Sequence, residues 1–323
     1  MTDKCFIIAE AGSNFDGRLD QAYELIDVAA EAGADAVKFQ MFKAEVLYPD
    51  NSLPVHEIVR RNELPRSWVA DLINRCTSVG IEFMCSPFDL EALNILVSQG
   101  VQKIKIGSSE TVNLKLLRAA ARSGADLFIS TGTCSMSDIA DAVEVVTANG
   151  CDMPNLLHCY SVYPTDASDT NLRIIETLRH AFQLPVGFSD HSSGTAIPIA
   201  AVALGINCLE KHFTLSRDLK GPDHSYALEP DELKLMITQI REVEQAMGIG
   251  KKDLHPEEFK WNRRDGVHLV SKVHAGQKLQ PKHLEIRRPA SPVEPRFINT
   301  LYGCEVLKDI EKGAPLDWND FSS

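Results

Sequence analysis

"INCLEKHF", residues 206–213, is the stretch on which the fold turns. Ile206, Cys208, Glu210 and His212 alternate with Asn207, Leu209, Lys211 and Phe213. In an extended strand that alternation sends each set to its own face. One face therefore starts apolar and ends in a carboxylate and an imidazole, two groups that are costly to bury without a partner or a task.

Seven further short apolar runs precede it and also read as strands: "CFIIAE", "DAVKFQ", "IEFMCS", "QKIKIG", "DLFIST", "NLLHCY" and "PVGFS". Between them lie helical patterns such as Val69, Leu72, Ile73, Cys76 and Ile139, Ala142, Val143, Val146, both spaced i, i+3, i+4, i+7. "EAGAD" and "RSGAD" have the helix–Gly–strand form of an αβ junction. Strict alternation of helix and strand implies a parallel sheet with right-handed crossovers. Eight strands is the number that closes a (β/α)8 TIM barrel, whose chemistry belongs at the C-terminal strand ends.

Every strand delivers polar residues at that end. Glu10 ends the first, Lys38 and Gln40 the second, and Ser86 the third. Lys105, with Ser108 beyond it, ends the fourth, and Ser130 and Thr131 the fifth. Tyr160 to Tyr163 follow the sixth, Ser189, Asp190 and His191 end the seventh, and Glu210 and His212 the eighth. As a set this is an improbable accident.

A helix carrying Leu233, Met236, Ile237, Ile240 and Val243 closes the barrel, giving a first domain over 1–248. Residues 249–264 read as a charged linker with little periodicity. Residues 265–323 form a small, mainly β tail with the pieces "VHLVSKV" and "LEIRRP". The tail also carries an internal echo, since "AGQKLQPKHLE" and "KGAPLDWNDF" share a Gly-xx-Leu unit followed by polar residues. A domain of about 60 residues is marginal and is expected to lean on something else.

The 323 residues carry a formal net charge of -12, which argues against a general nucleic-acid binder and against adsorption to anionic membranes. The N-terminal "MTDKCFIIAEAG" has too short an apolar run for a signal peptide or a membrane span. Eight cysteines without a CxxC pair suggest reduced, buried thiols and a cytoplasmic location.

His191 and His212 end adjacent strands, within reach of one metal. Two imidazoles with oxygen ligands and open positions suit a divalent ion such as Mn²⁺ or Mg²⁺. Lys38 and Lys105 project from strands into the barrel, and a buried ammonium needs an anion. With serine hydroxyls around them they form a good cradle for a small phosphate or carboxylate; the lesser alternative is that Glu10, Glu110 or Glu210 neutralises them. Glu10 and Glu210 are candidate bases or hydroxyl acceptors.

With these residues in place the chain resembles the sialic acid synthase family of nonulosonate synthases over almost its whole length. "IIAEAGSN", "GADAVKFQ", "CSPFD", "KIGSSE", "STGT", "HCYSVYPT", "GFSDHS", "LEKHFT" and "GPDHSYALEPDE" match the family's motifs in order, and the tail resembles its antifreeze-like (SAF) domain. The resemblance implies condensation of phosphoenolpyruvate with the open-chain aldehyde of N-acetylmannosamine or a relative, with phosphate leaving by C–O cleavage. It implies that His191 and His212 hold the metal and that Lys38, Ser86, Lys105, Ser108, Ser130 and Ser189 hold phosphoenolpyruvate, with Tyr163 beside it. It assigns Glu10, Gln40, Glu210 and Asp223 to the sugar side, with Glu10 as the preferred base. It implies a domain-swapped homodimer in which the tail of one subunit covers the partner's barrel and Arg288 meets the sugar's amide.

Phe15 and Asp16 stand where many relatives carry a His-Asn or His-Glu pair, and Ser161 stands where sialic acid synthases often have Asn. These departures bear on the sugar, and leave open a legionaminic acid synthase using 2,4-diacetamido-2,4,6-trideoxymannose. Two other readings compete: a Schiff-base aldolase working through Lys105 or Lys38, and a non-catalytic polysaccharide-binding protein with the barrel as scaffold.

Overall fold

The computed structural model describes residues 4–260 and 262–322. Residues 1–3, 261 and 323, at the edges or inside the spans read from sequence, lie outside the described residues. The chain divides into two compact units, Met1–Ile249 and Gly250–Ser323.

The first unit is a closed barrel of eight parallel strands in sequential order. They are β1 (Phe6–Gly12), β2 (Ala36–Met41), β3 (Glu82–Pro87), β4 (Lys103–Ile106), β5 (Asp126–Ser130), β6 (Asn155–Cys159), β7 (Val186–Asp190) and β8 (Cys208–His212). Each falls on one of the apolar runs read from sequence. Their outward side chains, among them Ile7, Val37, Ile104, Ile129, Phe188 and Leu209, merge with the apolar faces of the surrounding helices into the main core. The expected helical stripes lie on helices Val69–Val79, Met136–Thr147 and Pro230–Met247. Helix Leu19–Ala32 stops at Gly33, whose φ of 88° is open to glycine at little cost and lets its N–H close on Ala29 and Ala30 carbonyls.

The inward faces form a second, separate cluster. Phe6, Ile8, Ala36, Met84, Phe128, Leu157 and Cys208 plug the lower barrel. The same faces continue upward by steps of two into Glu10, Lys38, Ser86, Ser130, Cys159 and Glu210. Pleating therefore explains why the eighth strand turns from apolar to polar along one face. Gly187 makes room inside this layer, because a Cβ there would lie 2.2 Å from Cys208 Sγ.

The second unit pairs β9 (Gly266–Leu269) and β10 (Leu284–Arg287) antiparallel over a core that includes Val267, Leu269, Leu279, Leu301 and Leu316. The Gly-xx-Leu echo has a structural counterpart: Gly276 and Gly313 both take positive φ (78° and 82°), and Leu279 and Leu316 are both core. Each unit then runs into a short 3-10 turn, Pro281–His283 and Trp318–Asp320, with a reciprocal cap from Gln280 and Asp317. The 249–264 stretch, read as a linker, contains helix Pro256–Lys260 and belongs to the second compact unit from Gly250 on. All eight cysteines are free, with Cys5, Cys76, Cys85, Cys159 and Cys208 buried. Among the described residues no helix is long and apolar enough to cross a membrane.

Candidate active site

The C-terminal mouth of the barrel opens onto a cavity of ≈ 240 Å³, the scale of a small metabolite rather than a polymer groove. Twelve of the residues singled out in the sequence line it: Glu10, Lys38, Gln40, Ser86, Lys105, Ser108, Ser130, Tyr163, Ser189, His191, Glu210 and His212. Asp223 is at the rim, its Oδ2 3.9 Å from His212 Nδ1. Arg288 lies in the second unit, two-thirds exposed and 3.4 Å from Asp265.

Register explains the gathering. Glu10 pairs across β1–β8 with His212, Gln40 across β2–β3 with Ser86, and Ser189 across β7–β8 with Glu210. At the cavity floor two lysines and two carboxylates interlock. Lys38 Nζ is 2.8 Å from Glu10 Oε2 and 3.7 Å from Glu210 Oε2, and it donates to Ser86 Oγ at 3.1 Å. Lys105 Nζ donates to Ser130 Oγ at 2.6 Å and is 3.7 Å from Glu210 Oε1. Ser189 Oγ donates to Glu210 Oε1 at 2.8 Å, and Gln40 Nε2 to Glu10 Oε1 at 2.7 Å.

The two carboxylates are driven apart. Burial pushes Glu10 up to about 7, because Lys38 offsets only part of the desolvation. Burial acts on Glu210 in the same direction, but Lys105 and Lys38 together outweigh it and hold Glu210 at about 2. Burial disfavours the charged Lys38, yet Glu10 and Glu210 hold it above the usual lysine value. The site therefore keeps one firm anion, one carboxyl that can exchange a proton near neutrality, and a charged Lys38.

Several buried polar atoms at this mouth have no hydrogen-bond partner: Glu10 Oε2, Glu110 Oε2, Glu210 Oε2 and His212 Nδ1. The Lys38–Glu10 contact is an ion pair by distance without hydrogen-bond alignment. Orphaned groups of this kind are rare in folded proteins and mark a place where a ligand completes the set.

The imidazoles fit a metal. His191 Nδ1 donates to the Tyr160 carbonyl at 2.8 Å, which orients the ring and leaves Nε2 as the nitrogen that could take a metal. Burial holds His212 below its usual value against the pull of Asp223, which favours its neutral form. Ring centroids of the two lie 5.4 Å apart. Among the described residues no third His, Cys, Asp or Glu completes a ligand cage, so water or substrate oxygens would fill the other positions.

Phe88, Gly107, Ser109, Glu110, Cys159 and Ser161 also line the cavity. Glu110, considered from sequence only as a partner for a lysine, is pushed up to about 7 by burial. Cys159 Sγ lies 3.9 Å from His191 Nδ1 and 3.6 Å from Ser108 Oγ. Burial disfavours its thiolate, yet His191, Ser108 and Lys105 draw the thiol below the usual range. Two glycines allow this crowding: a Cβ on Gly107 would be 2.5 Å from Glu110 Oε2, and one on Gly132 would be 2.6 Å from Ser161 Oγ. The alternating pattern of β6 already aimed Cys159 inward, and that was the available signal. Glu110 sits on the 3-10 turn Ser109–Val112, where strand periodicity gives none.

A closed eight-stranded barrel with charged and imidazole side chains at its C-terminal mouth defines a TIM-barrel enzyme. Within that class the chain belongs to the NeuB family, whose model matches residues 25–252, and a SAF domain model matches residues 264–322. It is 36% identical to the N,N'-diacetyllegionaminic acid synthase of Legionella pneumophila over 97% of this chain and 94% of that one. It is 35% identical to the N-acetylneuraminate-9-phosphate synthase of Mus musculus, over 95% and 90% of the two chains. Among solved structures it resembles the N-acetylneuraminic acid (sialic acid) synthetase of Leptospira borgpetersenii in complex with citrate. That match has a TM-score of 0.76 and 38% identity, covering 80% of this chain and 90% of that one. The chain is a condensing synthase of the nonulosonic acid kind.

Proposed function

We propose that the barrel mouth condenses phosphoenolpyruvate with the open-chain aldehyde of an acetamido-mannose sugar, N-acetylmannosamine or a derivative. The observation that carries this reading is the pair of buried lysines ringed by serine hydroxyls and flanked by unsatisfied carboxylate and imidazole atoms. Lys38 and Lys105, with Ser86, Ser108, Ser130 and Ser189, hold the phosphate and carboxylate of phosphoenolpyruvate. C3 of phosphoenolpyruvate bonds to the aldehyde carbon, whose oxygen gains a proton. Water adds its hydroxyl at C2, and its other proton makes good the one gained by the aldehyde oxygen. The C2 hydroxyl then loses its proton to become the ketone as the C2–O bond breaks, and phosphate leaves with the electron pair and that proton. Glu10 takes the water's proton, the role suited to a carboxyl at about 7. Gln40, Glu210 and Asp223 accept or donate to sugar hydroxyls, and Tyr163 packs beside His191 with ring centroids 4.1 Å apart. A divalent ion, Mn²⁺ or Mg²⁺, held by His191 and His212 supplies Lewis-acid polarisation of the aldehyde when bound.

Against the pull of burial, Glu10 and Glu210 hold Lys38 above the usual lysine value, which makes it a poor Schiff-base amine. A second sugar, 2,4-diacetamido-2,4,6-trideoxymannose, is favoured by the likeness to the Legionella synthase. Calorimetric titration with phosphoenolpyruvate tests the cradle. Lys105→Ala should weaken binding by about tenfold or more, the loss expected on removing one member of a charge-assisted pair, while Asp223→Asn leaves it unchanged. Unchanged binding in Lys105→Ala contradicts the reading.

A further inference from the structure

The turn after β1 and the segment after β8 are tied together by a buried polar chain that the reaction scheme does not use. Asp16 sits at φ 51°, a left-handed conformation that Asp tolerates better than most residues. Its Oδ2 accepts from Gln21 Nε2 at 2.7 Å, and its Oδ1 is 3.0 Å from His224 Nε2. His224 is 1% exposed, and its Nδ1 lies 2.6 Å from Thr214 Oγ1. A carboxylate only accepts, so His224 donates through Nε2 and its ring orientation is set from both sides. Gly221 closes over the ring, where a Cβ would lie 2.8 Å from His224 Cδ2.

The residue before His224 is Asp223. Its Oδ1 accepts from the Tyr226 hydroxyl at 2.8 Å, and its Oδ2 faces the unpartnered Nδ1 of His212 at 3.9 Å. Ser13 Oγ approaches the same oxygen at 3.5 Å. Asp223 is thus a rim carboxylate whose backbone is anchored one residue away by a buried imidazole. None of these contacts reaches Lys38 or Lys105.

We propose that Asp16 and His224 are positioning residues that lock the 221–228 segment onto the β1 turn and so hold the Asp223 carboxylate against His212, acting on the sugar half of the reaction and not on phosphoenolpyruvate. This rests on the synthase reading above. Asp16→Ala and His224→Ala should each lower kcat/KM for the sugar by roughly 10–100-fold, the scale on which outer-sphere partners act. Phosphoenolpyruvate affinity should stay within about twofold, as expected of a cradle that shares no partner with the pair. Asp16→Asn keeps an acceptor for His224 and tolerates the left-handed turn, so it should recover most of the loss. In an Asp223→Asn background Asp16→Ala should add less than about twofold, because contacting residues acting through one group are not additive. Equal loss of sugar and phosphoenolpyruvate, or full multiplication in the double variant, overturns the proposal. A crystal structure of Asp16→Ala reads the claim without turnover. Asp223 displaced from Tyr226 supports it, and Asp223 unmoved overturns it. If the wild-type chain released no phosphate with any sugar, the synthase reading would fall while this structural arm still decided the positioning claim.

Discussion

Glu10 and Glu210 stand on neighbouring strands and share Lys38, yet burial lifts Glu10 while, against the same burial, Lys105 and Lys38 together hold Glu210 down. The difference is contact: Glu210 faces both ammonium groups and takes a serine hydroxyl, whereas burial dominates at Glu10. Glu10→Gln should fold normally and lose turnover by about 100-fold or more, the usual scale for a lost acid–base group. Steady-state kinetics beside a thermal melt checks this, and retained turnover would reassign the base. Glu110 makes a stability prediction of its own. Its carboxyl is raised to about 7 by burial, from an ordinary value of 4.5. The folded chain therefore keeps a proton that the unfolded chain releases as pH rises above 4.5. Stability should fall from about pH 4.5 to 7, by up to about 3 kcal/mol for this one group. Denaturant titrations should show that slope flattened in Glu110→Gln; an unchanged slope would place its origin elsewhere. Strand periodicity made Glu10, Lys38, Lys105, Glu210 and His212 legible in the sequence, because a period of two fixes which face a residue shares. Glu110 was not legible as a cavity residue, since a 3-10 turn after β4 aims its side chain by local geometry.

At the scale of elements, β1, β2, β3, β5, β6 and β8 each carry an apolar lower half beneath a cavity-lining residue on one inward face. The eight strand runs and the αβ glycines were readable because burial on both faces demands apolar sequence and because the helix stops need positive φ. Strand ends were less so: β1 runs on through Gly12 with a register shift between Glu10 and Gly12. The helix at Pro256–Lys260 was also missed, being one turn long with no periodic face to read. Gly187 tests the layered interior. Its missing Cβ leaves room for Cys208 Sγ at 2.2 Å and the Cys208 carbonyl at 2.6 Å. Gly187→Ala should destabilise the barrel by about 3 kcal/mol or more, the upper range for overpacking. Cys208→Ala should rescue little of it, because the carbonyl contact remains. Full rescue would mean that the thiol alone sets the limit.

At the scale of the whole molecule, the NeuB-type barrel and the SAF unit each have their own core, and the reading of Arg288 as a sugar contact concerns how two subunits share work. We propose that Arg288 serves the barrel of a partner subunit in a homodimer. Neither Arg288→Ala nor Lys105→Ala chains should turn over alone, yet mixed chains should recover roughly a quarter of wild-type activity, since half of random dimers hold one complete site in two. No recovery would assign each tail to its own barrel. The most direct measurement of the central claim is sugar-dependent phosphate release from phosphoenolpyruvate. N-acetylmannosamine, its 6-phosphate and 2,4-diacetamido-2,4,6-trideoxymannose would be offered separately, each with Mn²⁺ and with EDTA, and the product weighed by mass spectrometry. Metal-dependent release with one of these sugars, matched mole for mole by a product joining the sugar to a pyruvyl unit, is the predicted result. Absence of release with all three, in a folded chain that does not bind phosphoenolpyruvate, would contradict the account.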